Sequence, residues 1–197
     1  YIGNRSSGRM GFALAAGAAD RGARVTVVAA NVELPRDRRI QYVDVSTAAE
    51  VERACRELFG DADVLLMAAA VADFRPAQSH AGKIKKDGRP TLPLRLEATG
   101  DILTALGEQR RPDQVLVGFA AEHGDGALER GRRKLREKRL DAVVVNDVSE
   151  PGIGFDASDN EVVVVNVDGE RHIGRAPKSV IAQAVLDAVT PVRSGSS

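Results

Sequence analysis

Several short stretches carry residue types that could act on a charged ligand. Residues 3–11 form a polar, Gly/Ser-rich turn that feeds a helical pattern, and Ser6 or Ser7 could cap that helix. Such a start offers free backbone N–H groups and a helix dipole to an anion. Ala68, Ala69 and Ala70 follow an apolar run and are too small to block a ligand approaching the backbone; Asp73 then places a carboxylate just beyond. Two more apolar runs end in Phe119 to Glu122 and in Asn146-Asp147. Lys83, Lys85 and Lys86 sit in a Gly/Pro-flanked segment, and Arg130, Lys134 and Lys138 recur every four residues, which stacks three cations on one helix stripe. Backbone donors, carboxylates, an amide, one aromatic ring and lysines suit a phosphorylated ligand held with a metal ion. Nucleophilic hydrolysis is poorly served, because the chain has no Gly-x-Ser-x-Gly elbow and its three histidines are scattered without triad or zinc spacing.

Each stretch alone also has an ordinary reading: a capped helix, alanines packed under a helix, a solvated loop, a solvated helix face. What favours a site is the order of the elements around them. Strand patterns cover residues 24–30, 39–45, 64–67, 91–97, 114–121 and 141–145. Helical patterns start near Ser7, after Thr47, after Asp101 and at about Gly126, and the last runs over 178–189. Val64 to Met67 is wholly apolar and reads as a strand buried on both faces. Residues 161–167 and 171–173 form a hairpin about Asp168-Gly169. This alternation predicts an α/β fold: a doubly wound, mostly parallel sheet with an antiparallel edge hairpin. If the runs at 64, 114 and 141 are parallel, their carboxyl ends share one edge, where ligands of open α/β sheets bind.

Composition narrows the classes. The chain of 197 residues is 43% hydrophobic, ordinary for a folded domain. Aromatics are 4% with no Trp, which disfavours a base-stacking nucleic-acid platform. Lys+Arg and Asp+Glu balance at 28 each, so no global charge draws the chain to nucleic acid or membrane. Cys55 is the single cysteine and reads as a small core residue. No apolar run is long enough to span a membrane, and a cytoplasmic location is expected.

The stretches together resemble a known family. Tyr1-Ile-Gly-Asn-Arg-Ser-Ser-Gly-Arg-Met-Gly11, Ala69-Ala-Val-Ala-Asp-Phe-Arg-Pro76, Lys83-Ile-Lys-Lys86, Gly118-Phe-Ala-Ala-Glu122 and Val144-Val-Asn-Asp-Val-Ser149 occur in the order and spacing of the CTP-dependent bacterial phosphopantothenoylcysteine synthetases. The resemblance implies a Rossmann-like ligase domain over residues 1–190, a lid loop at 75–90 and a disordered tail at 191–197. It implies that 4′-phosphopantothenate and L-cysteine are joined with CTP and a divalent cation such as Mg2+, through an acyl-cytidylate. It assigns Asn4 and Lys83 as catalytic, Lys83 closing over the triphosphate. It places Asp73, Thr99, Gly100, Asp101, Ile102, Phe119, Lys134, Lys138 and Asn146 around the nucleotide, with Asp73 at the metal. Asn4, Ser7, Gly8, Ala69 and Ala70 would lie along the phosphopantothenate. A homodimer and a fused flavin-dependent decarboxylase domain are further implications.

The chain departs from the family pattern in three places. His123 stands where Thr is usual, Ala98-Thr-Gly-Asp101 replaces Asn-Pro-Asp, and the family's first strand and Gly-rich phosphate loop would precede Tyr1. A chain without that strand is expected to bind CTP poorly or to be inactive. Two rival readings exist. A short-chain dehydrogenase needs Tyr and Lys four apart, but Tyr1 and Tyr42 are the only tyrosines, with Arg5 and Ser46 four residues on. A non-catalytic nucleotide-binding or dimerisation module would bind without releasing pyrophosphate.

Overall fold

In a computed structural model, the structure describes residues 6–78, 82, 84–86, 90–122, 124, 126–147 and 159–194. The elements are α1 (Arg9–Asp20), β1 (Thr26–Ala30), β2 (Gln41–Val45), α2 (Ala48–Phe59), β3 (Val64–Met67), β4 (Phe74–Pro76), β5 (Leu96–Ala98), α3 (Ile102–Gln109), β6 (Val115–Glu122), α4 (Ala127–Glu137), β7 (Ala142–Asp147), β8 (Asp159–Asn166), β9 (Gly169–Pro177) and α5 (Lys178–Ser194).

The main sheet has the order β3-β6-β7-β8-β9. β3, β6 and β7 are parallel, in register Met67 with Gly118 and Phe119 with Val144. β8 and β9 are antiparallel to their neighbours, so the edge hairpin forms as the pattern predicts. The period of two divides the core. Val143 and Val145 pack with α2, α3 and α4 through Phe59, Leu103 and Leu135. Val144, Val162 and Val164 pack on the other face with α1 and α5 through Leu14, Ile181 and Val185. Burying each such side chain contributes about 1.5–3 kcal/mol. α2 starts as its sequence dictates: Thr47 and Glu50 form a reciprocal capping box, and Val51, Ala54, Cys55 and Phe59 are buried at helical spacing.

Several expectations are corrected. β3 is an edge strand of the five-stranded sheet, and Val64 is 39% exposed. An apolar run read as buried on both faces lacks a ladder partner on one side, because the parallel β1–β2 pair forms a separate sheet. The strand expected over 91–97 shrinks to β5, antiparallel to β4 inside the segment read as a loop from residue 75. The pair holds three residues on each strand, and the Ala77 N–H just beyond it donates to the Arg95 carbonyl at 2.9 Å. α5 continues to Ser194, so the tail expected at 191–197 is helical for its first four residues. α1 is not capped by Ser6 or Ser7: Gly8 is the N-cap, in the left-handed region at φ 72°, without a side-chain cap. A Cβ at Gly8 would sit 2.8 Å from both Val32 Cγ atoms, so glycine is required there twice over.

A candidate site at the carboxyl edge of the sheet

A cavity of about 110 Å³ opens at the carboxyl ends of β3, β6 and β7, on the α1/α5 face. Ser7 and Gly8 from the turn, Ala69 and Ala70 after β3, Phe119 on β6 and Asn146 on β7 all line it, so six of the sequence-predicted residues meet in one place. The first turn of α1 borders the cavity through Arg9, Met10 and Gly11, whose N–H groups have no acceptor within the helix. α1 can come this close because Gly11 faces an alanine: a Cβ there would lie 3.7 Å from the Ala68 Cβ.

The cations form the other half of the edge, on the face covered by α3 and α4. Side chains on a helix lean toward its N-terminus, so the long residues of α4 reach back toward the strand ends. Lys134 Nζ donates to the Phe119 carbonyl oxygen. Lys138 pairs with Asp101, which also caps α3 by accepting from the Thr104 N–H at 3.1 Å. Arg130 Nε is 2.5 Å from Glu122 Oε2. Each cation of the stripe therefore has a partner at the edge, where a helix stripe more often stays solvated. Burial pushes the Lys134 ammonium below its ordinary pKa, and Lys138 adds to this, while Asp101, Glu122 and Asp73 oppose it. Burial raises the Asp101 carboxyl, but hydrogen bonds from Lys138 and the Thr104 N–H outweigh it and leave it below its ordinary value.

The loop bearing Asp73 is stapled to the entry of α3. The Thr99 N–H donates to the Asp73 carbonyl at 2.9 Å, and Thr99 Oγ1 donates to the Ala72 carbonyl at 2.6 Å. This fixes Thr99, Gly100 and Asp101 beside the exposed Asp73 carboxylate. The Ile102 side chain is buried in the core, 6% exposed, at the start of α3. Asn4, Lys83 and His123 lie outside the described residues. Lys85 and Lys86 are exposed. Among the described residues no three His, Cys, Asp or Glu side chains cluster as a metal site. A lone carboxylate fits an ion of the Mg2+ kind, which commonly takes one or two protein carboxylates and completes its shell with water and substrate phosphates.

Sequence reasoning missed two polar residues of the cavity wall, Asn160 and Lys178. The signal for Asn160 was available: it precedes Val162 and Val164 at period two, an amide at an inward position of an apolar strand. Lys178 gave none, because a lysine opening a helix reads as solvated.

A parallel-dominated sheet flanked by helices, with a cleft at its carboxyl edge, defines a Rossmann-like α/β domain. Residues 1–192 match the model of the DNA/pantothenate metabolism flavoprotein C-terminal domain, and the chain belongs to that family. It is 40% identical over 209 residues to the coenzyme A biosynthesis bifunctional protein CoaBC of Mycobacterium tuberculosis (strain ATCC 25618 / H37Rv), covering 100% of this chain and 49% of that protein. It is 41% identical over 167 residues to a cysteine/cysteine sulfinic acid decarboxylase from an unknown prokaryotic organism, covering 84% of this chain and 46% of that protein. The crystal structure of the C-terminal domain of a CoaBC superposes with a TM-score of 0.78 at 32% identity, over 94% of this chain and 83% of that one. The chain thus spans about half the length of the relatives it matches.

Proposed function

We propose that this domain is a phosphopantothenate–cysteine ligase acting in coenzyme A biosynthesis, with CTP as the activating nucleotide. The observation that carries the reading is the meeting of Ser7, Gly8, Ala69, Ala70, Phe119 and Asn146 around one cavity beside the Lys134–Lys138 face. In the first step a carboxylate oxygen of 4′-phosphopantothenate attacks the α-phosphorus of CTP, and the bond to the β-phosphate oxygen breaks with loss of pyrophosphate. In the second step the cysteine amine attacks the acyl carbon, CMP leaves, and the amine proton passes to solvent.

Phosphoryl transfer asks the protein for position and charge balance rather than covalent help. The α1 N-terminus offers backbone donors to an anion. Lys134 and Lys138, with Lys83 from the lid, balance the phosphates, and Thr99, Gly100, Asp101 and the Ile102 backbone bound the nucleotide. Asp73 would hold a divalent cation, which supplies further neutralisation of phosphate charge. Asn4 would donate to the acyl oxygen as charge develops on it in the second step.

A homodimer in the cytoplasm, joined to a decarboxylase domain, completes the reading. The arm around β4 and β5 supports the dimer: Phe74, Leu92, Leu94 and Leu96 are 42–58% exposed there, a patch that suits burial against a second copy.

The test is mass spectrometry of the protein with CTP, Mg2+ and 4′-phosphopantothenate, without cysteine. An acyl-cytidylate is expected. CTP binding with no intermediate and no pyrophosphate would sink the ligase reading in favour of a non-catalytic module.

A further inference from the structure

We infer that Asn160 determines specificity within the phosphopantothenate pocket by accepting a hydrogen bond from the substrate's secondary hydroxyl, an inference that rests on the ligase reading above. Asn160 is 4% exposed, and its Oδ1 has no hydrogen-bond partner among the described residues. It lines the cavity that Ser7, Gly8, Ala69 and Ala70 also line. A buried amide oxygen without a donor is costly, and the cost is relieved by a bound group that brings an N–H or O–H. An acceptor offers nothing to a phosphate or carboxylate oxygen, so neither charged end of 4′-phosphopantothenate belongs against Oδ1. The neutral middle of that substrate carries two donors, the amide N–H and the secondary hydroxyl.

Position in the sheet selects between these donors. The cavity wall runs from Phe119 on β6, whose carbonyl accepts from Lys134, through Asn146 on β7 to Asn160 on β8. The reacting carboxylate must meet the nucleotide phosphates, hence the Lys134 side. The amide N–H is the donor nearer that carboxylate, and the hydroxyl is the one further away. Asn160 stands two strands from β6, about 10 Å at the usual spacing, which matches the further donor. Asn146 Oδ1 is also buried without a partner, one strand closer to Lys134, on the side the resemblance gives to the nucleotide. The apolar surroundings agree. Val144 and Val162 line the same cavity, 0% and 2% exposed. The hydroxyl carbon is bonded to a quaternary carbon bearing two methyl groups, which suit these side chains, whereas the amide N–H is flanked by a carbonyl and a methylene.

The test is pyrophosphate release by the full-length protein with saturating CTP and either 4′-phosphopantothenate or its analogue in which the secondary hydroxyl is replaced by hydrogen. Wild type is expected to prefer the natural substrate about tenfold in kcat/KM, since the analogue leaves the acceptor unpaired. Asn160→Leu removes the acceptor, so its ratio for the two substrates should fall to near unity. A purely structural role for Asn160 would slow both substrates alike and leave the ratio where wild type has it. Should the leucine variant unfold, Asn160→Ala makes the same comparison. An active Asn160→Leu or Asn160→Ala protein that keeps the wild-type ratio overturns this inference alone. Wild type that uses both substrates equally well does the same without any variant. Wild type that releases no pyrophosphate from CTP with 4′-phosphopantothenate overturns the ligase reading and this inference with it.

Discussion

Lys138 Nζ lies 2.7 Å from Asp101 Oδ2, so the cap at the carboxyl end of α4 is tied to the residue that caps α3. The pair holds two helices at one side of the cleft. It also means that a phosphate reaching Lys138 competes with a carboxylate already in place.

That competition separates two substitutions. Lys138→Met should change stability by less than about 1 kcal/mol, because the pair is partly solvated, while raising the KM for the nucleotide. Asp101→Ala removes the α3 cap as well and should cost about 0.5–2 kcal/mol. Urea denaturation midpoints and nucleotide KM values check both. Equal stability losses would show that the cap contributes nothing.

Lys134 makes stability depend on alkaline pH. Burial lowers its pKa, so the folded chain releases this proton before the unfolded chain does. Between the lowered value and the ordinary lysine value the unfolded chain binds more protons, and stability rises with pH. Below that window the charged lysine imposes its full burial cost. Wild type should therefore gain stability relative to Lys134→Met as pH climbs through the window. Denaturant titrations of both proteins across alkaline pH measure it, and parallel curves would contradict the assignment.

Gly131 lets α4 approach the sheet. A Cβ there would lie 2.5 Å from Val145 Cγ2 on the fully packed β7. Helix propensity alone predicts that Gly131→Ala stabilises by up to about 1 kcal/mol. The clash should reverse the sign, giving a net loss of about 1–3 kcal/mol in chemical denaturation.

Cys55 lies on the buried face of α2, 6% exposed, and burial pushes its thiol up to about 11. A disulfide reagent at pH 8 should react slowly with native protein and at once with denatured protein. Fast native labelling would show that α2 opens readily.

The chain's periodicities were enough to place most elements and the parallel order of β3, β6 and β7. Apolar alternation and helical spacing are local, and each strand end carries its small or polar residues with it. This is why Ala69, Phe119 and Asn146 could be assigned to one edge before any coordinates. Side chains that act across distance were not legible. Ser7 looked like a cap, yet Gly8 holds that position because Val32 crowds it from another part of the chain.

What the sequence by itself determined is the α/β order, the family and the residues that gather at the carboxyl edge. The tertiary structure alone decided which face each one serves. It sends Lys134 and Lys138 to the α3/α4 side and opens the cavity on the α1/α5 side. It also turns Asn160 and Lys178 from unremarked positions into the wall of that cavity. The reason is physical: period and spacing report which residues share a face of their own element, whereas burial of an unpaired amide depends on packing between elements far apart in the chain.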